Sequence, residues 1–178
     1  MLKKVNLDFN FAKFIDADYT IHCDSCIKHQ VHELKDIHEQ YGGFPKTYCL
    51  ENTMIHQLWW NEDQIDYKEL GHKLGMEVIT VSTILQPPGC TVPLHRDIFY
   101  QITKRFPERK ELKVRANIYM EDYKLGQFIQ YQEDNNYITS VDWKIGDGFI
   151  WDSQVLHLSS NAGMENKYTM QVSGFLIQ

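Results

Sequence analysis

The sequence predicts a mainly β protein, with a helical flank over residues 1–75 and an antiparallel β core over residues 76–178, forming one domain. Three observations carry this. After Met76, apolar and polar residues alternate with period two over short segments, the spacing of strands with one buried face. Turn residues interrupt those segments at intervals. Aromatic residues make up 13% of the chain, ten Tyr and four Trp among them, and such side chains suit pleated, half-buried surfaces. Many short strands broken by turns fold as a β-sandwich, a jelly roll or a small barrel. At 178 residues the chain can bury one such core, not two.

The elements follow in order. Ile27, Val31 and Leu34 recur at i, i+4 and i+7 behind Asp24-Ser25, and Gly42-Gly43 follows Tyr41. That spacing predicts a helix capped by Asp24 or Ser25 and closed at a glycine. A second helix is predicted from Glu62 to Leu74, ending at Gly75, while Phe44–Thr47 and the Trp59-Trp60 pair read as irregular. Glu77–Leu85 is rich in β-branched residues and stops at Pro87-Pro88-Gly89, which marks a strand and a turn. In the next strand Leu112, Val114, Ala116 and Ile118 share one face, and Lys113, Arg115, Asn117 and Tyr119 the other. Further strands are predicted at Gly126–Gln132, Tyr137–Trp143, Gly148–Asp152 and Lys167–Ile177.

Composition excludes several function classes. With 18 basic against 24 acidic residues the net charge is −6, which disfavours a nucleic-acid partner despite the basic stretch Lys104–Lys113. No apolar run reaches the ~18 residues of a membrane span. The start, MLKKVNLDFNFAKF, lacks the apolar core of a signal peptide, so a cytoplasmic protein is expected. In that compartment Cys23, Cys26, Cys49 and Cys90 are not expected to form a disulfide scaffold.

Two histidine sets compete as metal ligands. His22, Cys23, Cys26, His29, His32 and His38 invite a structural zinc reading. Such zinc sites place about 12 or more residues between ligand pairs, and here the candidates crowd onto one predicted helix, so a helix face is expected. The second set is His95, Asp97 and His157. A His-x-Asp pair at a strand end puts two ligands on one side of an extended chain, and His157 is far enough along to return on another strand. Two His and one carboxylate form the facial triad of non-haem Fe(II) oxygenases. Taken alone, the pair reads equally as a salt-linked strand end.

Alternation also places Lys167, Thr169 and Gln171 on one face of the last strand. If that face points inward, the lysine needs an anion, and a lysine beside a hydroxyl suits a dicarboxylate. If it points outward, Lys167 is simply solvated.

Together, His95-Arg96-Asp97, the run Gly146 to Asp152, His157 and Lys167-Tyr168-Thr169 resemble the Fe(II)/2-oxoglutarate-dependent dioxygenases. Arg115 to Asp122, followed by Leu125-Gly126-Gln127-Phe128, is similar to the Arg–Tyr-Leu-Asn-Asp–Gly-Gly pattern of their prolyl-4-hydroxylase branch. Aspartyl/asparaginyl β-hydroxylases share much of the C-terminal pattern. The resemblance runs from Ile79 to the C-terminus and implies a double-stranded β-helix, a jelly-roll or cupin-like fold. It implies His95, Asp97 and His157 as iron ligands, and Lys167 and Thr169 as the holders of the distal carboxylate of 2-oxoglutarate. Tyr119 falls where the family often places a tyrosine that bonds the same carboxylate. The implied reaction hydroxylates a peptide side chain or a small molecule and releases succinate and CO2, with no catalytic side chain beyond the metal centre. Arg96, Tyr100, Arg115 and Asn117, with Trp59 and Trp60, are candidate pocket residues. Lys167 stands where most members carry Arg, and Gln127 replaces the second glycine. The alternative is a cupin-like protein that binds metal or a small ligand without turnover.

Overall fold

The computed structural model describes residues 1–20, 23–25, 35–134 and 136–177. Among these, β1 (Leu2–Asn6), β2 (Cys23–Ser25), β3 (Met54–Trp60), β4 (Met76–Gln86), β6 (Lys113–Tyr119), β9 (Asp147–Asp152) and β11 (Lys167–Leu176) form one antiparallel sheet in the order β1-β9-β6-β11-β4-β3-β2. A second sheet has the order β5-β10-β7-β8, from β5 (Thr91–His95), β7 (Gln127–Glu133), β8 (Asn136–Ser140) and β10 (Leu156–Asn161). Helices α1 (Ala12–Ile15), α2 (Lys35–Gln40), α3 (Tyr67–Leu74) and α4 (Tyr100–Arg105) lie between them in the chain. None of these helices is long and apolar enough to cross a membrane.

The pleat divides the large sheet's residues between two environments. Val114, Ala116 and Ile118 of β6, with Met170 and Val172 of β11, join Phe14 of α1 and Leu70 and Leu74 of α3 in the main core. The opposite residues, Arg115, Asn117 and Tyr119, face the small sheet. The strict alternation over 112–119 thus separates a dry face from a polar one, as the sequence implies. Helix α3 is fixed at both ends. The Asp66 carboxylate accepts from Lys68 N and Glu69 N at 2.9 and 3.0 Å, and Gly75 ends the helix at φ 68.

The first 75 residues depart from the helical reading, because β1, β2 and β3 all join the large sheet. Trp59 and Trp60 are not irregular but neighbours in β3. Trp60 packs edge-on to Phe14 at 4.7 Å and donates to Thr83 Oγ1, while Trp59 points the other way. Asp24 and Ser25 sit in β2 against β3, and Ser25 Oγ meets Thr53 Oγ1 at 2.8 Å. The helix foreseen behind them is described only as α2, since residues 26–34 lie outside the described residues. Helix α3 begins at Tyr67, not Glu62, because Asp66 supplies the cap. The sequence offers β5 and β10 only as the strands that would carry His95 and His157, with no strand pattern of their own. Pro93 interrupts β5, which takes the edge of its sheet, and β10 is polar along most of its length.

Strand β11 carries a register shift between Ser173 and Gly174 where it pairs with β4. A Cβ on Gly174 would run into the carbonyl oxygen of Glu77. Gly174→Ala is therefore expected to cost about 1–3 kcal/mol through forced backbone movement. Urea denaturation would show a lower midpoint at similar slope, and an unchanged midpoint would mean that the bulge relaxes freely.

Candidate metal centre and cavity

Strands β5 and β10 run antiparallel with His95 directly opposite His157, and their rings lie 4.1 Å apart. Asp97 follows two residues after the end of β5. Its Oδ1 lies 4.0 Å from His95 Nε2 and its Oδ2 3.9 Å from His157 Nε2. One ligand atom from each residue lies within 4.8 Å of the others, the spacing of a group that can hold one metal ion.

Backbone carbonyls set the tautomers. His95 Nδ1 is 2.8 Å from Pro93 O, and His157 Nδ1 is 3.2 Å from Val155 O. A carbonyl only accepts, so each Nδ1 carries the hydrogen and each Nε2 offers a bare lone pair. Burial pushes both imidazoles down, and for His157 the neighbouring ring adds to burial and takes it to about 3. Both rings are neutral at physiological pH, the state that binds metal.

Asp97 is held from the large sheet. Arg115 Nη1 donates to Oδ1 at 2.6 Å, and Trp151 Nε1 donates to Oδ2 at 2.7 Å. Burial works to raise its pKa, but Arg115, the imidazoles wherever they become protonated, and the Trp151 hydrogen bond outweigh burial and hold the carboxyl below its usual range. Each oxygen keeps a second lone pair for a metal. The role of Trp151 went unread in the sequence, although alternation through Gly148–Asp152 puts it on the same face as Phe149. The loop beyond Asp97 turns through Phe99 at φ 50, left-handed for a bulky residue. Its ring is buried with Ile102 and Phe175, and that burial fixes the turn.

The three residues face a cavity of about 480 Å³ between the sheets. Arg96, Tyr100, Arg115, Asn117 and Trp59 line it, whereas Trp60, the other candidate named with them, packs on Phe14 instead. Thr169, Gln171 and Ser173 line it from β11, so this face of the strand points inward. Lys167 points inward too and is 3% exposed, but it lies one step beyond the lining. Its Nζ donates to Phe128 O, Ser159 Oγ and Ser160 O at 3.2, 2.5 and 3.2 Å, which occupies all three hydrogens. These acceptors are neutral, and burial brings its pKa down to about 7. Tyr119 does not reach the cavity. Its ring stacks on Trp143 at 3.9 Å and its hydroxyl donates to Ser140 Oγ at 2.7 Å.

The N-terminal Cys/His set is not assembled among the described residues. His22, Cys26, His29 and His32 lie outside them, and Cys23 belongs to β2. His38 donates from Nε2 to Leu94 O at 3.0 Å and packs on Phe44.

No family model and no curated protein matches the chain. Solved structures do. A Pseudomonas putida prolyl-4-hydroxylase is similar over 99% of this chain and 92% of its own, at TM-score 0.58 and 15% identity. The fold is a double-stranded β-helix. The non-haem α-ketoglutarate-dependent carbocyclase SnoK of nogalamycin biosynthesis matches 98% of this chain and 79% of its own, at TM-score 0.56 and 11% identity. At such identities the likeness establishes the fold, and any function rests on the site itself.

The depressed Lys167 has a measurable consequence. Unfolded, the lysine titrates at 10.5, and folded at about 7, so between those values the unfolded chain binds more protons and stability rises with pH. The metal-free protein is expected to gain stability between about pH 7 and 9.5, and Lys167→Met to remove that gain. Denaturation midpoints at the two pH values test this. Equal slopes in the two proteins would place the lysine in contact with water.

Proposed function

We propose that this protein is a non-haem Fe(II)/2-oxoglutarate-dependent oxygenase that hydroxylates a small molecule or a peptide side chain. The observation that carries the reading is the pair of facing imidazoles, each with Nε2 bare and Nδ1 tied to a carbonyl, beside a buried carboxylate. Two imidazoles and one carboxylate fit iron(II) and leave coordination positions open. When bound, iron and the keto acid supply the oxidation, in which dioxygen is consumed, succinate and CO2 leave, and a substrate C–H gains oxygen.

The chain's own work is to bind, orient and exclude water. His95, Asp97 and His157 would hold the metal, with Pro93 O and Val155 O fixing the rings. Arg115 and Trp151 keep Asp97 ionised and in place. Tyr131, Phe149 and Trp151 close the space behind His157 against solvent. Lys167 and Thr169 would take the distal carboxylate of the keto acid. The support is electrostatic: a buried ammonium surrounded by neutral oxygens lacks a counter-charge that a carboxylate would provide. Tyr119 is left out of this role, since its hydroxyl is committed to Ser140.

One observation favours a second reading, a cupin-like protein that binds metal without turnover. All three hydrogens of Lys167 are already taken, so a keto acid must displace one of its acceptors.

The test separates the two. Anaerobic titration is expected to show about one Fe(II) per chain, abolished in His95→Ala and His157→Ala. Succinate release against 2-oxoglutarate concentration is then compared across variants. Lys167→Ala is expected to raise the midpoint about 30-fold to several-thousand-fold, because truncation leaves a desolvated carboxylate unpaired. Lys167→Arg is expected to be milder, and Thr169→Val to cost about 1 kcal/mol. Iron binding without succinate would establish the second reading. An unchanged midpoint in Lys167→Ala would remove that residue from the keto-acid site.

A further inference from the structure

The chain has four arginines, at 96, 105, 109 and 115. Three have partners. Arg109 is forked onto Glu77, Arg115 onto Asp97 and Ser173, and Arg105 donates to Ile79 O. Arg96 differs. Among the described residues it has neither an ion-pair nor a hydrogen-bond partner, and its Nε is sealed from water without one. A half-buried guanidinium with no counter-charge is held at a cost that structural contacts do not offset.

Position gives that cost a purpose. Arg96 lies between His95 and Asp97, and its side chain lines the same cavity that the imidazoles face. Two carboxylates line the cavity and neither pairs with Arg96: Asp97 is engaged by Arg115 and Trp151, and Asp24 accepts from Ser25 N. A second orphan shares the cavity wall: Asn117 is 5% exposed, its Oδ1 has no hydrogen-bond partner, and the neighbouring Tyr131 hydroxyl beside its amide has none either. The cavity therefore offers one cationic fork and one buried acceptor, both unmatched. A guanidinium fork pairs with a carboxylate through two parallel hydrogen bonds, and an amide oxygen requires an N–H or O–H.

The geometry points to Arg96 as the residue that grips a carboxylate of the molecule to be oxidised, with Asn117 accepting from a donor on the same molecule. The substrate class is a small amino or hydroxy acid, in keeping with a cavity of about 480 Å³. The assignment rests on the oxygenase reading of the cavity and adds to it what the cavity selects. The keto acid is itself a carboxylate, so Arg96 must be shown to hold a different one.

The experiment uses metal-free protein, where binding does not depend on iron or turnover. Calorimetric titration with a panel of free amino and hydroxy acids is followed, for each acid that binds, by its primary amide and by its analogue lacking the amino or hydroxyl group. The amide is expected to bind at least about tenfold more weakly than the acid, as loss of a charged bidentate partner requires. Arg96→Gln is expected to erase that preference and Arg96→Lys to restore part of it. The analogue without the donor is expected to bind more weakly to the parent, with the difference gone in Asn117→Leu. The melting temperature of Arg96→Gln is expected to equal or exceed that of the parent, since an uncompensated charge is removed. A clear fall would reveal a structural role and overturn the assignment. So would amides that bind as well as acids, a panel with no binder, or Arg96→Gln losing affinity for 2-oxoglutarate alone. Succinate formation in the iron-loaded parent is scored separately. Acid binding that follows Arg96 without succinate keeps the carboxylate site and removes the oxygenase reading, while succinate with acid binding indifferent to Arg96 does the reverse.

Discussion

The site depends on one carboxylate being shared between two sheets. Asp97 leaves the edge strand of the small sheet, yet both of its oxygens are held by side chains of the large one, Arg115 on β6 and Trp151 on β9. Arg115 and Trp151 are themselves cross-strand partners, so a single register places both donors. Breaking that register would move the guanidinium and the indole together, and would leave an anion buried without compensation. Such a loss is expensive because the charge cannot regain water. Joining the sheets and shaping the candidate metal site are thus parts of one arrangement.

The division of labour along β6 and β11 follows from the same geometry. Each strand turns even-numbered residues to the apolar core beneath the helices and odd-numbered residues to the side of the small sheet, where Arg115, Asn117, Thr169, Gln171 and Ser173 line the cavity. Arg115 pairs with Ser173, Asn117 with Gln171, and Tyr119 with Thr169, which gives three successive tiers from the metal site inward. The innermost tier is capped by aromatic stacking on Trp143, and beyond it lies Lys167. Polar residues can occupy this interior because the large sheet builds its dry core on the opposite face.

Much of this was legible in the sequence, and the failures share a cause. Alternation placed Arg115 and Asn117 opposite Val114 and Ala116, and put Lys167 with Thr169. Spacing alone left His95, Asp97 and His157 even with a salt-linked strand end, the family resemblance singled them out, and the fold brings the three together. What failed were strands whose inner face is wet or whose pairing is distant. Leu156–Asn161 is too polar to read as a strand, since its residues border a cavity rather than a core. Trp59 and Trp60 looked irregular because one faces the cavity and the other the helices, so neither face is uniform. Asp24-Ser25 carries a capping signature, and no local pattern there announces the pairing of both residues with β3. The turn of Tyr119 toward Ser140, and the role of Trp151, need three-dimensional neighbours that no local pattern encodes.

Pro93 orients one histidine through its carbonyl, and its nitrogen has a separate effect. It sits in the outermost strand of the small sheet, whose outer edge is covered: Thr91 N donates to Asn52 O, Leu94 O accepts from His38 Nε2, and Pro93 itself is buried between them. Without an N–H at that residue, the buried stretch two residues before His95 has no donor left to satisfy. The same proline that presents an imidazole inward therefore leaves no stranded donor where the strand is packed over outward.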